Sequence, residues 1–400
     1  MNCPGYVNNC INMLEASGHS AYAVGGAVRD SLLGKEPFDW DVTTSATPNE
    51  IIEVFSSFRT VPTGIKHGTV TVLFEVEGKS APIEITTFRI DGEYHDSRHP
   101  DSVEFSSKLT DDLSRRDFTI NAMAYCERDG LVDIFDGRED LKNGIIRTVG
   151  EAEKRFSEDA LRILRAFRFS AQLGFEIEEK TLNAASKCAT LLKNIARERV
   201  GVEFKKLLSS TKPVYALQTM IEMGIWCELF GEILPDKSII VKLETLENCF
   251  ETRLAALISD LSLDEKEELL TSLRLSNNEK KEIMKLSTVK SFVLDASFEK
   301  NEVQARRFLH LYSSVAEQAL QLLKFWGKDH FAELVSAQMQ KKVPLSIADL
   351  DVRGTDLLPL CEGDYKKVGL ILAFLLERVI EDPDLNHKEN LIEIVKKELQ

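Results

Sequence analysis

The chain has 400 residues, 43% of them hydrophobic, and a formal charge of −15 at pH 7. Such length and apolar content support several domains with true cores, and they exclude a disordered or fibrous polypeptide. The acidic balance excludes a general affinity for nucleic acid and leaves local clusters of Lys and Arg as the only places where phosphates can be held.

Seven cysteines without paired spacing argue against a disulfide framework or a zinc site, and a reducing cytoplasm fits them best. The first twenty residues lack a basic segment followed by an apolar one, and no run reaches the roughly 18 apolar residues of a membrane span. The expectation is a cytoplasmic protein without membrane association.

The first ~145 residues mix strand and helix signals. "AYAV" (21–24) is a short apolar strand ending in Gly25-Gly26, "AVRDSLLG" suits a helix, and "DWDVTT" a strand. "TPNEIIEVF" opens with Thr47 and Glu50 in capping-box spacing and Pro48 at the first helical position. "HGTVTVLFEV" (67–76) and "SAPIEITTF" (80–88) alternate around "EGK" as a hairpin should. The Gly-, His- and Asp-rich stretch 86–105 reads as a mobile loop, with His95 and His99 as polar loop residues rather than ligands. From about residue 150 the apolar residues fall at helical spacing and β alternation nearly vanishes, with breaks near 209–213, 231–238, 274–281 and 341–346.

Four stretches carry chemistry. In a strand, Asp39 and Asp41 share one face while Trp40 and Val42 take the other. Two carboxylates so placed repel each other, and a cation between them removes the cost. The spacing 39, 41, 43, 50 imitates a calcium loop but lacks its turn glycine, having Thr44 there, so Mg²⁺ completed by water and substrate phosphate fits better. Gly25-Gly26 lets backbone N–H groups approach a phosphate, and Arg29 sits in the helix that follows. In "LSRRDFTINAMAY" (113–125), Asp117 and Asn121 share a face if the segment is helical, next to Arg115 and Arg116.

In "FSEDALRILRAFRFSAQLGF" (156–175), Asp159, Arg162, Arg165 and Arg168 recur every three residues and wind across a helix face. A carboxylate beside a guanidinium complements an exocyclic amine beside a ring-nitrogen acceptor, the edge that cytosine and adenine share and that uracil and guanine invert. Asp159 with Arg162 suits that selection. Further basic groups stand at 280–285 ("KKEIMK"), at Lys341/Lys342 and at Lys366/Lys367.

In order, "GGAVRD", "DWDVTT", "RRDFTINAMAY", "DIFDGREDLKNGIIRTVG", "EDALRILRAFRF" and "ARERVGVEFKKLL" resemble the motifs of class II tRNA nucleotidyltransferases, the CCA-adding enzymes, and their bacterial poly(A) polymerase relatives. The resemblance covers about the first 210 residues and implies an α+β, polymerase-β-like head with a mixed sheet, followed by an all-α neck, body and tail. The divisions it implies are 1–147, 148–210, 211–310 and 311–400. It implies that Asp39 and Asp41 hold catalytic Mg²⁺, that Gly26 and Arg29 contact nucleotide phosphates, and that Arg116, Asp117 and Asn121 form the ribose-side motif. Asp159, Arg162, Arg165 and Arg168 then read C or A without a template. The implied substrates are CTP, ATP and a tRNA held by its acceptor and T arms. Glu84, in "IEITTF", is a candidate third carboxylate. The alternatives are an A-adding enzyme, a poly(A) polymerase, or a catalytically silent tRNA-binding protein.

Overall fold

A computed structural model describes residues 3–92, 103–295, 298–341 and 343–399. The chain divides into two compact units, one reaching Leu234 and including Ser272–Arg274, the other made of Pro235–Thr271 and the residues from Leu275 onward.

The first unit begins with helix α1 (Gly5–Ala16), strand β1 (Ala21–Val24), helix α2 (Gly26–Leu32), strand β2 (Trp40–Thr44) and helix α3 (Pro48–Val54). Strands β3 (Arg59–Gly64), β4 (Thr69–Val76) and β5 (Lys79–Thr87) follow, then β6 (Arg89–Asp91) and β7 (Val103–Phe105), which pair with each other as a separate ribbon. After α4 (Leu109–Ser114) come β8 (Met123–Cys126), β9 (Gly130–Asp133) and α5 (Gly137–Asn143). Seven strands form one mixed sheet in the order β3-β4-β5-β2-β1-β8-β9, in which β2 and β5 run parallel and the other neighbours antiparallel.

Local sequence explains these elements well. The β4–β5 hairpin closes on Glu77-Gly78, both at positive φ (51° and 75°), the backbone that matches strand twist in a two-residue loop. The capping box of α3 forms as its spacing predicts, with Glu50 Oε2 accepting from the Thr47 backbone N–H at 2.7 Å. Trp40 and Val42 are buried while Asp39 and Asp41 face outward, as strand alternation requires.

One expectation is corrected. Residues 113–125 are no continuous helix. Helix α4 stops at Ser114, and a 3-10 turn at Thr119–Asn121 leads into β8. The cause is pairing with residues 147–149: the Thr119 N–H donates to the Arg147 carbonyl at 2.9 Å, the Val149 N–H to the Asp117 carbonyl at 3.1 Å, and Phe118 is extended and fully buried between them. At its described ends the stretch 86–105 is paired as a β ribbon; the rest of the expected loop, residues 93–102 with His95 and His99, lies outside the described residues.

Beyond the sheet, Ile145–Ile146 pairs with Glu176–Ile177, and the helices α6 (Ala152–Glu158), α7 (Leu161–Leu173), α8 (Glu179–Lys187) and α9 (Arg197–Leu208) complete the site's surroundings. After Ile177 every regular element among the described residues is helical.

In the second unit, Leu357, Val368, Leu375, Val379, Leu391 and Val395 form part of an apolar core. Arg306 is buried beside it; its Nε donates to the Ile380 carbonyl at 2.6 Å and its Nη2 to the Glu381 carbonyl at 2.7 Å, satisfying the end of the helix Tyr365–Glu381. Arg306→Ala orphans those carbonyls, and a stability loss of about 2–4 kcal/mol is expected in chemical denaturation, with Arg306→Lys recovering part of it.

Candidate active site

Strand β2 carries the site's acids on its outward face. Asp39 precedes the strand and Asp41 lies within it, in register with Glu84 of the parallel neighbour β5. All three are exposed on the surface while Trp40, Val42, Ile83 and Ile85 anchor both strands in the core. Crowding by the surrounding protein, and then the Glu84 carboxylate, push the Asp41 carboxyl up to about 6; Arg116 opposes this and Asp39 adds to it. The ionised form is therefore held at a cost that a cation would relieve. Among the described residues no group of three or more His, Cys, Asp or Glu side chains is already arranged around a metal. The donor set suits a hard ion that keeps water and takes its remaining ligands from phosphate.

The next position on this face is closed. Thr43 Oγ1 donates to Oδ2 of Asp112 on α4 at 3.1 Å, and Asp112 is fully buried. Burial would raise its pKa, but Arg116 and Arg115 outweigh that and hold it below the usual carboxylate range. Arg115 reaches Asp112 at 2.6 Å and Arg116 at 3.0 Å. The Arg116 Nε is buried with no hydrogen-bond partner. It lies beside the turn at Gly25, whose φ of 77° suits glycine and where a Cβ would come within 3.2 Å of the Arg116 Nη1. Gly26 opens α2.

From that turn a chain of hydrogen bonds runs to α7. Arg29 Nη1 donates to Asn121 Oδ1 at 2.7 Å, Asn121 Nδ2 to Asp117 Oδ1 at 3.1 Å, and Arg165 Nε to Asp117 Oδ2 at 2.8 Å, with Arg165 Nη2 in ion-pair contact with the same oxygen at 2.6 Å. Asp117 and Asn121 thus meet although no α-helix joins them. Burial acts to raise the Asp117 pKa, and Arg165, with Asn121, reverses this and sets it at about 2.

The arginine row divides among separate acids. Arg162 donates to Glu158 at 2.7 Å and to the Arg115 carbonyl at 3.0 Å. Arg168 Nε lies 2.8 Å from Glu203 on α9, without the alignment of a hydrogen bond. Asp159 does not pair with Arg162 through its side chain. It sits at the break between α6 and α7, where its Oδ1 caps the Leu161 N–H at 3.0 Å and its Oδ2 accepts from Arg199 Nη2 at 2.8 Å. The break explains the difference: a capping carboxylate turns toward the helix start, away from a side chain one turn inside.

Residues 21–147 match the family model for the poly A polymerase head domain, and residues 174–236 that for the probable RNA and SrmB-binding site of polymerase A. The CCA-adding enzyme of Ligilactobacillus salivarius is 39% identical, covering 100% of this chain and 98% of its own. The CCA-adding enzyme of Bacillus velezensis is 39% identical over 93% of this chain and 91% of its own. The crystal structure of the Bacillus stearothermophilus CCA-adding enzyme in complex with CTP superposes with a TM-score of 0.81 at 32% identity, covering 100% of this chain and 98% of that one. The chain belongs to the CCA-adding enzyme family. Members are nucleotidyltransferases that use divalent metal ions.

Sequence reading missed Asp112, Arg199, Glu203 and Phe169, the last a ring faced by the guanidinium groups of Arg29, Arg165 and Arg168. Asp112 was accessible through its spacing, three and four residues before Arg115 and Arg116. Arg199 and Glu203 are four apart on α9 and so share the face that meets Asp159 and Arg168. Phe169 carries no such signal, since an aromatic residue in an amphipathic helix looks like any core residue.

The raised Asp41 pKa gives a signed prediction. Above about pH 6 the folded protein carries a carboxylate that its surroundings disfavour, a penalty absent once pH falls to the ordinary Asp range near 3.8. In metal-chelating buffer, Asp41→Asn is expected to raise the melting temperature at pH 8 and to leave it nearly unchanged at pH 4; equal shifts at both would contradict it.

Proposed function

We propose that this chain adds C, C and A in turn to the 3′ end of tRNA, without a template, from CTP and ATP and with release of pyrophosphate. The observation that carries the proposal is the outward face of Asp39, Asp41 and Glu84, set beside the Gly25-Gly26 turn and the unpartnered Arg116 Nε. Near-complete coverage of relatives named as CCA-adding enzymes supports the choice of reaction.

Asp39 and Asp41, with Glu84 beside them, fit Mg²⁺. Bound there, the ion supplies Lewis-acid activation of the tRNA 3′-hydroxyl and neutralises the departing phosphates. The attacking oxygen forms a bond to the α-phosphorus as the bond to pyrophosphate breaks. Gly26, at the start of α2, admits phosphate oxygens to its backbone, and Arg29 and Arg116 add charge from the two sides of the turn. Asn121 and Asp117 face the ribose. Asp159 and Arg162 read the base edge, with Arg165 and Arg168 completing the row. Asp159 retains this role after pairing with Arg199, because a carboxylate accepts about four hydrogen bonds and fewer are in use.

We assign the head to 1–147, the neck to 148–210, the body to 211–310 and the tail to 311–400. Body and tail grip the acceptor and T arms by shape and phosphate contact, as A-form RNA hides its base edges. The seven cysteines are free, which supports a cytoplasmic location. No helix among the described residues is long and apolar enough to cross a membrane.

The test is a tRNA lacking its 3′ CCA. CTP alone should extend it by two residues, and CTP with ATP by three. A addition without C would point to an A-adding enzyme or a poly(A) polymerase, and tRNA binding with no pyrophosphate release to a silent binder. Asp39→Ala and Asp41→Ala should each reduce incorporation to background while leaving circular dichroism unchanged. Replacing Lys280, Lys281 and Lys285 of the helix Asn277–Leu286 by Gln should lower the slope of log affinity against log salt, by roughly 0.7–0.9 for each phosphate no longer neutralised; an unchanged slope removes that cluster from the RNA interface.

A further inference from the structure

Phe169 stands at the meeting point of three cations. Its ring centroid is 4.0 Å from the Arg168 guanidinium carbon, 5.1 Å from that of Arg29 and 5.4 Å from that of Arg165. All three distances fall within the range of cation–π attraction, and the ring is nearly buried, where that attraction is strongest. Phe118 meets the ring edge-on at 5.8 Å, and the Phe118 N–H donates to Asp117 Oδ1 at 2.8 Å, so the aromatic neighbour of the ring is anchored at the same carboxylate that holds Arg165.

The cations come from different places. Arg29 belongs to α2 beside the phosphate-facing turn, while Arg165 and Arg168 belong to α7. Like charges so close repel. Burial, with Arg165 and Arg29 nearby, lowers the Arg168 pKa to about 10 against the pull of Glu203, and the group stays charged at neutral pH. Asp117 and Glu203 offset part of the repulsion. The π face offers the remaining negative potential common to all three.

We propose that Phe169 is a positioning residue for nucleotide selection: its ring ties Arg29, at the phosphate end, to Arg165 and Arg168, in the base-reading row. The proposal rests on the function given above. Its mechanism is geometric: displacement of Arg29 by a triphosphate alters its hold on the ring and on Asn121, and both lead to Arg165. Nucleotide occupancy and base-reading geometry then change together, and a side chain that fills the same volume without a π face uncouples them.

The experiment replaces Phe169 by 4-fluoro-, 3,5-difluoro- and 3,4,5-trifluorophenylalanine, which weaken the ring's quadrupole with little change of shape, and by Leu. For each protein the melting temperature, kcat, KM for CTP and ATP, and the ratio of correct to incorrect nucleotide incorporation are measured on the same tRNA. The expected result is a KM that climbs stepwise with fluorination to about fivefold to tenfold, as weakening of one to two cation–π interactions implies. Discrimination against UTP and GTP should fall in parallel, and the melting temperature should stay within a few degrees across the fluorinated set. A KM and discrimination that follow melting temperature rather than fluorine number, or that stay flat through the series, would overturn the positioning role. Failure of the unaltered protein to add C or A would instead refute the underlying function, and the two failures are read from different samples.

Discussion

The buried carboxylate of Asp117 is the contact on which the site depends. It accepts from the Phe118 N–H, Asn121 Nδ2 and Arg165 Nε, with Arg165 Nη2 in ion-pair contact, while the Asp117 backbone carbonyl accepts from Val149. One residue thereby fixes the crossing of 117–119 with 147–149, orients Arg29 through Asn121, and holds α7 against the sheet domain. Burying a lone carboxylate is strongly unfavourable, and here Arg165 reverses the effect. Such a pair adds little net stability over an apolar one of the same volume. What it contributes is direction, since three donors from different segments around one carboxylate admit a single arrangement.

The opposite electrostatic condition prevails a few residues away. Asp39, Asp41 and Glu84 face outward with too little positive charge to balance them, and the Asp41 carboxyl is raised rather than lowered. Arg116 stands between the two regions, bonded to Asp112 and acting across space on Asp41. Two carboxylates of one small region, Asp41 and Asp117, thus have pKa values driven in opposite directions by their surroundings. Under the proposed function, groups separated in this way mark the divide between a place for a cation and a scaffold that must stay charged.

Most of the sheet domain was legible because its signals are local. The Gly25-Gly26 turn, the alternation from Asp39 to Val42, the capping box at Thr47 and the hairpin around Glu77-Gly78 each rest on residues within a few positions of one another. Where reading failed, the deciding contact was distant in sequence. Residues 117–119 leave the helical path because Arg147 and Val149 offer them backbone partners, and no periodicity within 113–125 carries that information. The Asp159–Arg199 pair spans forty positions. The regular spacing of Asp159, Arg162, Arg165 and Arg168 suggested one continuous row, whereas the start of α7 divides it: Asp159 caps the helix and three arginines find three different acids. Phe169 was invisible for another reason, since its significance lies in which cations surround it and not in its own type.

Under the proposed function, that division bears on how a protein chooses a base with no template to copy. A nucleic-acid template offers donors and acceptors on a rigid ring; a protein must offer them on flexible side chains, and an arginine loses about 2 kcal/mol of rotamer freedom when it is fixed. If that ordering occurred only when the nucleotide arrived, it would be charged equally against right and wrong bases and would weaken every complex. Tethering Arg162 to Glu158 and the Arg115 carbonyl, Arg165 to Asp117, and Asp159 to Arg199 places the ordering in the folding of the chain instead. On the proposed role of these groups, binding energy then reports mainly the match of the base edge, and a mismatched base meets side chains that already have partners within the protein.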